Sequence, residues 1–191
     1  MTTGRVEAFS DGVIAIIITI MVLELRAPHD VTLEGLRPLL PVFGSYVMSY
    51  VYIGIYWSNH HHLLHAAQHV TGKCLWANLH LLFWLSLVPF TTAWMGENHF
   101  ATWPVALYGS VLLLSGVAYN ILVRTLLASP GNELLANALG SDLKGKVSIV
   151  VYLVAIPLAF VSPWISLTLY IVVAITWLIP DRRIERNIGQ E

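Results

Sequence analysis

Long apolar blocks dominate the chain, and its few charges mark where those blocks end. The first block covers residues 5–26 and carries Arg5, Asp11 and Glu24. Only residues 12–23, 12 uncharged positions, separate the two acids. A hydrocarbon core of about 30 Å needs roughly 20 helical residues. A spanning helix here must therefore bring an acid into or near the membrane, where acids are costly and turn toward protein or water. Pro28-His29-Asp30 then breaks the pattern.

The next apolar blocks predict helices over residues 39–62, 74–95 and 103–127. The second is expected to continue through a histidine run to about residue 69. Residues 129–146 form a polar connection, with a short surface helix expected over 133–143. Residues 147–180 are 34 positions without a formal charge. As one helix they would reach about 51 Å, far beyond a bilayer. Ser162-Pro163 offers a turn between two shorter helices, 146–161 and 164–180.

Charge placement favours the six-span reading. With both ends inside, Arg5, Lys73, Arg124, Lys144, Lys146, Arg182, Arg183 and Arg186 lie inside, and only Arg26 and Arg37 lie outside, of 10 basic residues. Cytoplasmic loops are enriched in Lys and Arg in this way. The predicted fold is an all-α integral membrane protein, one domain over residues 1–191 with six transmembrane helices.

Composition agrees. The chain is 57% hydrophobic and 11% charged, with a mean hydropathy of +0.70. Soluble domains carry about 25% charged residues. The net charge of -1 gives no footing for nucleic acid. The single cysteine, Cys74, excludes an internal disulfide. The first segment is not expected to be a signal peptide, because it has acids where a basic start belongs.

At about 100° per residue, Gly12, Ile16, Thr19, Ile20 and Leu23 share one face of the first helix. Thr19 is the only side-chain hydroxyl in that stripe. Asp11 points about 140° away from Ile16. If identical copies packed around an axis, Ile16 and Leu23 would form apolar rings of the kind that gate a pore by dewetting. The plainer reading is packing or lipid contact, with Thr19 bonded to a carbonyl one turn back. Asp11 could equally be the buried partner of a basic group.

Residues 60–69 hold five of the eight histidines. His61, His65 and His69 fall at i, i+4, i+8, a face able to take a metal or haem iron. No cysteine or carboxylate lies nearby in the sequence, and a solvated role at the inner membrane surface is the ordinary one. No metal or cofactor is expected.

Four motifs carry a family resemblance: Arg5-x-x-x-Phe9-Ser10-Asp11, Trp57-x-x-His60-x-x-Leu63-Leu64, Asn78-Leu79 and Leu87-Val88-Pro89-Phe90. Together they resemble the short prokaryotic form of transmembrane protein 175, the endolysosomal potassium channel family. The resemblance covers roughly the first half of the chain. Leu64 stands where the family often has phenylalanine. The resemblance implies six-helix subunits forming a homotetramer, whose first helices line a central pore for potassium and other monovalent cations. It places the constriction at Ile16, the threonine layer at Thr19, and further lining at Ile20 and Leu23. Glu24 would add negative potential at the outer mouth. Arg5, Phe9, Ser10, Asp11, Trp57 and His60 would form an interhelical network away from the ion path. The implied protein is a passive channel of the cell membrane, embedded in the lipid bilayer with both termini cytoplasmic, and not an enzyme. The competing readings are a haem-bearing electron carrier on the His61/His65/His69 face, a proton-coupled transporter using Asp11, and a membrane scaffold.

Overall fold

The computed structural model describes residues 3–132, 135 and 143–178. Most of the expected surface helix over 133–143, and Arg182, Arg183 and Arg186, lie outside the described residues. The described chain is helical, without strands. Helix α1 is Thr3–Leu23, and a short 3-10 segment, Leu33–Leu39, leads into α2, Leu40–Ala66. Helices α3, Gly72–Ser86, and α4, Val88–Glu97, follow, then α5, Thr102–Leu127. The last two described helices are α6, Leu143–Leu158, and α7, Pro163–Leu178.

Helix α6 runs Leu143–Leu158 where 146–161 was expected, and three further boundaries differ, each for a physical reason. Helix α1 ends at Leu23, not near residue 26, because the chain enters turn bonds ahead of Pro28: Leu25 N–H to Val22 O and Arg26 N–H to Glu24 O, both 3.1 Å. Glu24 therefore sits in the turn after the helix. Helix α2 stops at Ala66, short of residue 69. The buried Asn132 side chain captures the next backbone groups: Gln68 and His69 N–H each donate to its Oδ1 at 2.9 Å. Its Nδ2 donates in return to His69 O and Leu126 O. The third apolar block is two helices, broken at Leu87. Pro89 has no N–H to continue the ladder, and Leu87 N–H turns to Trp84 O instead.

Residues 159–162 separate α6 from α7. Pro163 opens α7, the helix position where its missing N–H costs nothing. Ser166 Oγ donates to Ala155 O at 2.7 Å across this turn.

Among the described residues, four helical stretches are long and apolar enough to cross a membrane: Thr3–Leu23, Leu33–Ala66, Gly72–Glu97 and Thr102–Leu127. Helices α6 and α7 have 16 residues each, about 24 Å of rise. The core lies among α2, α3, α5 and α7 around Ile53, Leu81, Leu85, Leu112 and Tyr170. Most of its polar groups pair with one another, as an interior without bulk water demands; Ser115 Oγ and His60 Nδ1 are the buried exceptions among the described residues. Ser49 Oγ bonds Thr92 Oγ1 at 2.6 Å and Tyr108 Oη at 3.0 Å. Tyr152 Oη donates to Tyr52 Oη, which donates to Tyr170 O. At Gly96 the α4 backbone approaches α2 so closely that an added Cβ would lie 2.7 Å from Val42 Cα. Helix α1 packs on this body through α2, α3 and α4.

Candidate functional site

The two faces of α1 have opposite environments. Val6, Ser10, Ile14, Ile17 and Met21 face the subunit and are buried. Gly12, Ile16, Thr19, Ile20 and Leu23 all face outward. The contrast is sharp: Ile16 is 60% exposed and Leu23 73%, while Ile14 is 2% and Ile17 3%. The five residues grouped by helical spacing are thus one outward stripe of the single subunit. Within it, Thr19 Oγ1 donates to Ala15 O at 2.6 Å. That bond uses the hydroxyl proton and leaves the oxygen an acceptor.

Behind the buried face runs a chain of hydrogen bonds linking three helices. Ser10 Oγ donates to Val6 O at 2.8 Å. Asn78 Nδ2, from α3, donates to Ser10 Oγ at 2.9 Å. His60 Nε2, from α2, lies 2.8 Å from Asn78 Oδ1. The Asn78 amide nitrogen already faces Ser10, so its oxygen can only accept, and the His60 proton sits on Nε2. Helices α1, α2 and α3 are tied by groups that are all nearly fully buried.

Asp11 is tied separately. Trp57 Nε1 donates to its Oδ1 at 3.0 Å. Asp11 is half-buried at the α1–α2 seam, where a tryptophan N–H supplies the partner.

The structure does not join every motif residue to this network. Arg5 and Phe9 are exposed, Phe9 at 56%. Inside the subunit Arg5 makes no hydrogen bond or ion pair with another described residue. The reason is angular: at about 100° per residue both continue the outward stripe of Gly12 and Ile16. Glu24 is exposed. The expected His61/His65/His69 face does not form. His69 lies beyond the end of α2, with its ring against Gly131, where an added Cβ would collide with His69 Cδ2.

The sequence marks Asn78 with Leu79 as a motif without joining it to the network, and it assigns Glu7 no role. Asn78 is the network's central member, and its signal was a lone amide inside an apolar helix. Glu7 meets His61, with Oε1 2.6 Å from Nδ1. It stands one turn before Asp11 on α1, a visible but unweighted acid.

Apolar helices of membrane length, polar groups paired across the interior and one outward-striped helix define an all-helical integral membrane protein. The family model for the endosomal/lysosomal potassium channel TMEM175 matches residues 5–89. A potassium channel of Chryseobacterium sp. (strain P1-3) is 51% identical over 191 residues, covering 100% of both chains. A potassium channel of Chamaesiphon minutus (strain ATCC 27169 / PCC 6605) is 31% identical over 188 residues, covering 91% of this chain and 92% of its own. The crystal structure of a lysosomal potassium-selective channel TMEM175 homolog from Chamaesiphon minutus superposes with a TM-score of 0.80 at 31% identity. It covers 93% of this chain and 96% of that one. The chain belongs to the TMEM175 potassium channel family, and it is not an enzyme.

Proposed function

We propose that four copies of this chain surround a central pore lined by α1 and conduct potassium passively across the cell membrane. The observation that carries this reading is the two-faced α1. Ile16, Ile20 and Leu23 are exposed at 44–73% in the single subunit, although α1 is packed on its other side. Around a fourfold axis they become stacked rings. A ring of isoleucines offers an ion nothing in exchange for its water, so Ile16 is the barrier. One turn outward, Thr19 offers an oxygen whose proton is already committed to Ala15 O. Four such oxygens replace part of a cation's hydration shell.

The chain crosses six times with both termini inside, the two short helices α6 and α7 completing the set. This places Lys73, Arg124, Lys144 and Lys146 on the inner side. Glu24 then stands at the outer mouth, where its charge raises the local cation concentration. Asp11, bonded to Trp57 behind the stripe, holds α1 in place. The relatives named above as potassium channels support potassium as the permeant ion.

The deciding experiment is reconstitution in liposomes with a potassium gradient. The expected result is an ohmic current reversing near the potassium equilibrium potential. Saturable flux coupled to protons, or no flux from a well-folded tetramer, would overturn the proposal.

A further inference from the structure

Near the inner end of α1, Glu7 meets the histidine run of α2. Its Oε1 lies 2.6 Å from His61 Nδ1. A carboxylate accepts, so the imidazole donates from Nδ1, and its neutral form carries the lone pair on Nε2. The His61 ring is stacked on both sides. Trp57 lies at 6.4 Å with 26° between planes, and His65 at 5.9 Å with 18°. His65 is one turn further along the same face of α2. Both rings reach solvent, His61 with its side chain 45% exposed. Among the described residues no hydrogen bond occupies His61 Nε2 or either ring nitrogen of His65.

Metal-binding histidines characteristically donate their second ring N–H to a carboxylate, which fixes the tautomer and raises the basicity of the other nitrogen. Glu7 does this for His61. A second imidazole at i+4 lies within chelating reach after rotation of its exposed side chain. We propose that His61 and His65 form a two-imidazole site for a divalent transition ion of the zinc, nickel or copper class, with Glu7 positioning His61. Among the described residues no third His, Cys, Asp or Glu completes a cluster, so water fills the remaining positions, as at open zinc sites. Imidazole selects these ions over magnesium, calcium and potassium, which take oxygen ligands. The site stands apart from the ion path: Glu7 points about 140° from Gly12 on α1.

The test is isothermal titration of zinc chloride, and separately nickel chloride, into the detergent-purified full chain carrying no polyhistidine tag. One ion should bind per chain, and magnesium should give no saturable heat. His61→Ala and His65→Ala should each weaken binding at least tenfold. Glu7→Gln should weaken it about 10- to 100-fold, the range for loss of a carboxylate behind a metal-bound histidine. His62→Ala should change affinity less than twofold. Each variant is checked for an unchanged elution profile and melting temperature. Absence of saturable binding, or binding that survives His61→Ala and His65→Ala, overturns the site. So does loss of binding with His62→Ala alone. The readout is independent of conduction, so it stands or falls separately from the channel reading.

Discussion

Asn78 Nδ2 donates to Ser10 Oγ at 2.9 Å, joining α3 to α1 across 68 positions of sequence. Asn78 Oδ1 accepts from His60 at the same time. One amide thus puts the His60 proton on Nε2 and supplies Ser10 Oγ with a donor. Asn78→Ala would strand the buried His60 N–H and remove the donor to Ser10. Each buried orphan costs about 1–3 kcal/mol, so the variant should lose about 2 kcal/mol of stability. Denaturation of the purified protein measures this, and an unchanged midpoint would show that the network contributes nothing.

Asp11→Asn keeps an acceptor for Trp57 but removes the charge, and Trp57→Phe keeps the ring but removes the donor. Both should lower the tetramer fraction while leaving the reversal potential unchanged, because Asp11 points about 140° from Ile16. Size-exclusion profiles and bi-ionic potentials check the pair. A well-assembled Asp11→Asn tetramer with altered selectivity would place Asp11 in the ion path.

In the proposed tetramer, Ile16→Asn would replace an apolar ring with groups that can hydrate an ion. Current should rise and discrimination between cations should fall. Thr19→Val keeps shape and loses the oxygen, so the potassium preference should fall while the protein still assembles. Liposome currents under potassium and sodium gradients separate the two effects. Equal permeability ratios in wild type and Thr19→Val would remove Thr19 from selectivity.

Single cysteines placed from residue 12 to 23 in a Cys74→Ser background test the stripe directly. Water-soluble thiol reagents should label positions 12, 16, 19, 20 and 23. Positions 14, 17 and 21 should stay protected, as their 2–3% exposure requires. The reverse pattern refutes the pore face.

Gly96→Ala places a methyl group against the Val42 backbone, which cannot step aside as a side chain can. Overpacking of this kind costs about 1–3 kcal/mol. Melting temperature should fall, with selectivity unchanged in the surviving protein. A variant as stable as wild type would mean that α2 and α4 separate at little cost.

The apolar blocks, the approximate course of most helices and the grouping of Gly12, Ile16, Thr19, Ile20 and Leu23 were legible from the chain alone; the break at Leu87 was not. These are local properties: they follow from how far apolar runs extend and from the fixed turn angle of a helix. Local spacing also put His69 on a helical face, and there it failed. Helix α2 ends because Asn132, 63 residues further on, takes the backbone N–H of His69. Periodicity likewise could not say which side of α1 faces the subunit. That was decided by Ser10 finding Asn78, and by Ile14 and Ile17 finding a core to fill. Arg5 and Phe9 show the same division, for their motif is local while their exposure depends on the helices packed behind α1. Hydrogen bonds between residues more than 60 positions apart exist only after the chain has folded, so the tertiary structure alone assigned them.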